Sequence, residues 1–403
     1  MDTLTLPRPA TTVATLLPAI ADYLHAPAAP TLRSLGVGSG KGGTILFNCH
    51  YAAFTGEPAY YERAQAELEE VLAGLDPRTY KADFSSNFYQ ELAEVGELLV
   101  YLSRTGHIDW DIEPLLARLD SVLAGRLAQY LATGNLERRN GALSPGTYFL
   151  RRAGQSALAR RSLDTLLDAL HTLRQGTEAT GYYWLCYIAA APRAYTGLSH
   201  GSAMVLAFLA EVHRAGIRPA ECAELLHYGT KWVVGTRRDP AQFISTFPLW
   251  EGQAERVNNL CLIYGDLGTA HGLVLAANAL QDAAARQAAV DVVRHTLPRV
   301  SVADTNIRDA SVYYGASGAY LLYDALHRHT GEADFGAAAQ QWLARVPGLA
   351  THGPEYLGFS PQFYKDYPAA RLGVGFGLVG IGLTLLQAES QGRYALDEFV
   401  GLA

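Results

Sequence analysis

Gly197-Leu-Ser-His200-Gly201-Ser-Ala-Met204 runs directly into an apolar stretch that continues to Val212. The same sentence structure recurs down the chain: a residue pair ending in glycine, an apolar helical run, then polar turn residues. Aligned on that glycine, the pairs are Ser39-Gly40, Asn140-Gly141, His200-Gly201, Tyr264-Gly265, Tyr314-Gly315 and Phe376-Gly377, with Gln90-Glu91 filling the second register. Three positions later a small residue often follows: Gly43, Ser144, Gly268, Gly318 and Gly380. The anchors lie roughly 50 to 65 residues apart, the period of an architecture whose units bury their apolar faces on one another.

That repeat argues for one domain over residues 1–403, although the length alone would suggest two or three. About half the residues are hydrophobic, at 49%, which is enough for a sizeable core. The formal charge is −7 with no block of like charges, so nucleic acid is not expected as a partner. Arg151, Arg152, Arg160 and Arg161 form a local basic patch that reads as a solvated helix face. The cysteines Cys49, Cys186, Cys222 and Cys261 show no CxxC spacing, which suits reduced thiols and a cytoplasmic location. The first residues lack the basic and apolar regions of a signal peptide, and no apolar run is long enough to span a membrane.

Helical spacing of apolar residues, and abundant Ala, Leu, Glu, Gln and Arg, predict an all-α chain. An N-terminal helix is expected over 11–26 and repeats over about 35–390, each an inner helix followed by an outer one. Seven inner helices ringed by seven outer ones form an α/α toroid. Gly36-Val-Gly-Ser-Gly-Lys-Gly-Gly43 does not meet the phosphate-loop spacing and reads as a glycine-rich helix entry. Long aromatic loops at 178–195, 237–260 and 351–371 precede inner helices and are candidates for a binding rim.

The four motifs Gly197-Leu-Ser-His-Gly201, Tyr264-Gly-Asp-Leu-Gly268, Tyr314-Gly-Ala-Ser-Gly318 and Gly377-Leu-Val-Gly-Ile-Gly-Leu383 occur in order at repeat spacing. In this the chain resembles the lanthionine synthetase C family, the cyclases that close thioether rings in lanthipeptides. The resemblance covers nearly the whole chain and implies the same toroid. It also implies a zinc ion held by the cysteine of a W-C-Y-G motif and by an adjacent Cys-His pair. Here those positions read Ile263, Tyr313 and Tyr314. Cys261 lies two residues from the first of them and does not replace it, and Cys49-His50 reads as a core pair. No three protein ligands are expected to converge, so neither a metal nor another cofactor is expected.

The resemblance further implies a carboxylate four residues before the glycine of repeat three, working with the motif histidine. Glu137 and His200 occupy those positions. Tyr264 and Tyr314 share the register of His200, so the expected catalytic set is His200, Glu137, Tyr264 and Tyr314. Histidine suits proton transfer near neutral pH, and tyrosines suit hydrogen bonding to an enolate. Helix N-termini gathered at one mouth would add free N–H groups for an anion. Tyr313, Asp266, Asp309, Glu91 and Glu94 are expected to line the substrate surface. Three readings stand at this point. The first is metal-free cyclisation of a dehydrated precursor peptide, with a lanthipeptide dehydratase as a second partner. The second is a non-catalytic descendant that binds the peptide or the dehydratase. The third is a glycosidase using paired carboxylates.

Overall fold

The computed structural model describes residues 12–26, 30–83, 86–188 and 191–403. Within them the anchor glycines Gly40, Gly201, Gly265, Gly315 and Gly377 are all helix N-caps. The main helices are α1 (Val13–His25), α2 (Lys41–Thr55), α3 (Pro58–Ala73), α4 (Phe88–Arg104) and α5 (Glu113–Ala132). They continue with α6 (Leu143–Arg152), α7 (Ala157–Leu173), α8 (Ser202–Arg214), α9 (Pro219–Gly235) and α10 (Asp266–Leu280). The last are α11 (Ala283–Thr296), α12 (Ala316–Thr330), α13 (Ala333–Leu343) and α14 (Leu378–Glu389).

Helices α2, α4, α6, α8, α10, α12 and α14 each pack on the next, and α14 packs back on α2. The inner ring is therefore closed, and the expected α/α toroid is what the chain forms. Each of the first six inner helices packs on the outer helix that follows it. The seventh outer position is taken by α1, which packs on α14 and so joins the two ends of the chain. Burial follows from this arrangement. Residues 202–212 of α8 are buried on every side, as befits a helix between two ring neighbours and an outer layer.

The glycines are explained by backbone crossing. The loop before each inner helix except α4 folds back over the helix start, whereas α4 starts from an Asn87 side-chain cap. A Cβ at Gly201 would overlap Tyr195, and one at Gly318 would overlap the Val312 carbonyl. Gly201 also sits at φ 134°, which favours glycine. The same crossing corrects the expectation of free N–H groups at the mouth. Ser202, Ala203 and Met204 donate to the carbonyls of Tyr195, Thr196 and Gly197, and Lys41 and Gly42 donate to Ser34 and Leu35. These helix starts are capped by their own loops. Loops also bond sideways: Ile263 N donates to Tyr313 O, Tyr313 N to Gly375 O, and Gly375 N to Gly38 O. These residues stand two before their anchors, so the mouth is stitched from repeat to repeat.

Two local expectations change. The last inner helix, for which the sequence suggests a start at Gly373, begins at Leu378, because 373–377 belong to the crossing loop. The loop at 178–195 contains part of a short antiparallel hairpin, Gln175–Thr177 with Gly181–Tyr183. Gly181, at φ 87°, lets that hairpin lie against the backbone of Trp232. Residues 1–11, which include the start of the expected N-terminal helix, and 189–190 within that loop lie outside the described residues. Among the described residues no helix is long and apolar enough to cross a membrane.

Candidate functional site

Glu137 lies in the turn before α6, and its backbone N–H is held by the Asn135 side chain at 3.1 Å. His200 is the residue before the α8 N-cap, in the turn closed by the Thr196–Gly201 bridge. These turns, 63 residues apart, bring His200 Nδ1 to 2.5 Å from Glu137 Oε2. With Nδ1–H donating to the carboxylate, neutral His200 carries its lone pair on Nε2. Glu137 and His200 thus meet as the sequence suggests.

The other oxygen of Glu137 is also engaged. The Cys186 thiol donates to Oε1 at 2.5 Å. Cys186 comes from the loop at 178–195, where its backbone exchanges hydrogen bonds with Arg193 at 2.9 and 3.1 Å. One donor atom from each of Glu137, Cys186 and His200 lies within 4.8 Å of the other two. This corrects the expectation that no three metal-type ligands converge. Sequence reasoning missed Cys186 because it sits in a loop, out of register with the repeat. The available signal was a cysteine fourteen residues before the motif histidine. Burial, and then the charge of Glu137, push the thiol well up from its ordinary range.

His200, Tyr264 and Tyr314 follow one another around the mouth, with ring centroids 5.9 and 6.3 Å apart. The row continues from Tyr314 to Phe363 at 4.6 Å and Phe376 at 5.9 Å. Burial pushes the Tyr264 phenol up to about 12 and the Tyr314 phenol further in the same direction. Both are therefore neutral hydrogen-bonding groups at neutral pH.

Tyr313 also meets this row, edge-on against Phe376 at 5.2 Å. It lines a cavity of about 70 Å³ together with Ile263, Glu94, Glu97, Arg138 and Arg139. The Arg139 guanidinium stands 5.7 Å from the Tyr313 ring centroid. The positions for which the resemblance implies zinc hold Ile263, Tyr313 and Tyr314. Ile263 has no donor atom, and the rings of Tyr313 and Tyr314 both pack on Phe376, at 5.2 and 5.9 Å. Cys261 does not compensate. Its sulfur bonds to the backbone of Tyr264, and burial pushes its thiol up to about 12. His50 is buried, with Nε2 2.8 Å from the Tyr101 hydroxyl, and burial lowers it to about 3; with Cys49 it is a core pair.

The remaining expected residues are placed elsewhere. Asp266 is fully buried and accepts from Thr246 N, Phe247 N and Arg299 Nη1. Glu91 is also fully buried and accepts from Leu35 N and Ser86 Oγ. Asp309 accepts from Ser311 N and Gln362 N. These three carboxylates hold loops in place and are not brought to His200. Glu94 reaches the cavity while accepting from Gly38 N at 2.8 Å. Glu97, which sequence reasoning passed over, lines the same cavity, and burial pushes its carboxyl up to about 8.

Over 97% of this chain and 96% of the other, the structure superposes on that of nisin cyclase with a TM-score of 0.70. The chain has the nisin cyclase fold. The two sequences are 13% identical, so the likeness lies in the architecture. No family model matches the chain. No curated protein matches it in sequence either.

Proposed function

We propose that this chain closes thioether rings in a dehydrated precursor peptide, with Glu137 and His200 as the proton-handling pair and no zinc ion at positions 263, 313 and 314. The observation that carries the reading is the Glu137–His200 contact, made between two successive repeats at the mouth of a toroid with the nisin cyclase fold. In the reaction a peptide thiol loses its proton, and the sulfur adds to the β-carbon of a dehydroalanine or dehydrobutyrine. The alkene electron pair becomes an enolate, which takes a proton at the α-carbon, so the product is an isomer of the substrate.

The lone pair on His200 Nε2 accepts the thiol proton and the resulting imidazolium returns one to the enolate. Glu137 fixes the ring tautomer and stabilises the charged form. A free thiol with pKa about 8.5 is a few per cent ionised at pH 7, a handicap of about 2 kcal/mol that such a base offsets. Tyr264 and Tyr314 face the enolate as neutral donors. The aromatic row past Tyr314 favours a second reading, peptide or dehydratase binding without catalysis. A glycosidase is not favoured, because Glu91, Asp266 and Asp309 are committed to backbone N–H groups and Arg299.

The test uses a dehydrated cysteine-containing precursor and follows loss of free thiol with time, since ring closure leaves the mass unchanged. Wild type is expected to exceed the uncatalysed rate, and His200→Asn to lower the excess about 10²–10⁴-fold with little change in peptide affinity. A wild-type rate no faster than buffer removes the catalytic reading and leaves the binding one.

A further inference from the structure

The proton-handling pair does not account for Cys186. A buried thiol could pack among apolar side chains, yet this one is aimed at a carboxylate that already serves a histidine. We propose that Glu137, Cys186 and His200 form a binding site for one divalent transition-metal ion of the zinc class, distinct from positions 263, 313 and 314.

The donor set supports this in kind and number. A thiolate, an imidazole nitrogen and a carboxylate oxygen together select a borderline-soft cation over magnesium or calcium, which prefer all-oxygen shells. Three protein ligands leave a fourth tetrahedral position open, the pattern of a site that exchanges a water or an incoming ligand. The charges also balance. Binding releases the Cys186 proton to solvent, so the thiolate and Glu137 together neutralise a dication while neutral His200 supplies its nitrogen.

Geometry supports it as well. The donors come from three separate segments, each fixed by backbone bonds: the Asn135–Glu137 turn, the Cys186–Arg193 bridge and the Thr196–Gly201 bridge. The Cys186 sulfur is oriented by its contact with Glu137 Oε1 at 2.5 Å. Cys186 is 4% exposed, while the His200 side chain is 21% exposed, so the cluster is walled on one side and reached from the other. With the ion bound, Glu137 and His200 are ligands; without it, they are the proton-handling pair. The site does not rest on the cyclase reading, because metal binding needs no peptide.

The test uses the full chain, stripped with a chelator, and metal alone. Titration with Zn²⁺ in a calorimeter is expected to show one equivalent bound. Titration with Co²⁺ is expected to give a sulfur-to-cobalt charge-transfer band with the intense visible absorption of a tetrahedral centre. Cys186→Ser should abolish the charge-transfer band and weaken zinc binding about a hundredfold or more, since even outer-shell substitutions cost 10–100-fold. Cys261→Ser should retain both signals. If Cys186→Ser does not fold, Glu137→Gln takes its place and should weaken binding while keeping the sulfur band. Absence of stoichiometric zinc binding in wild type overturns the proposal. So does tight binding that neither Cys186→Ser nor Glu137→Gln weakens.

Discussion

Asp266→Ala tests how the rim that presents His200 is held. The carboxylate accepts from Thr246 N at 3.0 Å, Phe247 N at 2.9 Å and Arg299 Nη1 at 2.8 Å. Arg299 is 6% exposed and also donates to the carbonyls of Asn258, Asn259 and Asp304. The pair therefore anchors both ends of the 245–259 loop. Burial pushes the Asp266 carboxyl up against the pull of Arg299, so the intact pair contributes little beyond what an apolar pair would. Removing one half is another matter. The guanidinium is left buried without its counter-charge, which costs about 3–5 kcal/mol. Trp250 in the same loop packs edge-on against Tyr195, at 5.7 Å, just before the His200 turn. The assay is urea unfolding followed by tryptophan fluorescence for wild type, Asp266→Ala, Arg299→Met and the double variant. The double variant should be destabilised by less than the sum of the singles, with a coupling of about 1–3 kcal/mol. An Asp266→Ala chain within about 1 kcal/mol of wild type, or strict additivity, would refute the reasoning.

Other outcomes follow from the same structure. Glu97 is protonated in the folded state up to about pH 8, whereas its unfolded value is near the ordinary glutamate range. The sign is that of a raised pKa: the contribution is fully present below about pH 4 and is lost as pH rises through about 8. The urea-unfolding free energy should fall over that window by at most about 5 kcal/mol, and Glu97→Gln should flatten the slope. His50, lowered to about 3, works in the other direction. Its contribution is present above about pH 6.5 and is lost as pH falls toward 3, so His50→Phe should reduce acid sensitivity in the same assay. Gly318→Ala should prevent stable folding, because its Cβ would overlap the Val312 carbonyl, whereas Gly125→Ala, with nothing within 4 Å, should stabilise α5 by about 0.5–1 kcal/mol. Thermal melts of the two variants check the contrast, and equal melts would overturn the crossing-loop account of the glycines.

The fold was legible because the repeat is a packing rule written in residue types. A glycine is needed wherever a loop backbone crosses an inner helix start, so Gly201, Gly315 and Gly377 mark helix entries by necessity. Helical periodicity then supplied the inner and outer layers, and register alone placed His200, Tyr264 and Tyr314 side by side. What register could not convey was direction within a turn. Tyr313 and Tyr314 are adjacent in sequence and both pack on Phe376, yet Tyr313 also lines the cavity while Tyr314 joins Tyr264 and Phe363. Asp266 and Asp309 stand near anchors, but whether a carboxylate there meets solvent or a loop's N–H groups depends on how a long segment folds over it. Docking of α1 on α14 in the outer layer joins residues more than 350 apart, for which no local pattern exists. Cys186 is the clearest case. Its place beside Glu137 and His200 is set by a loop outside the repeat, so only the tertiary structure could bring the sulfur to the carboxylate.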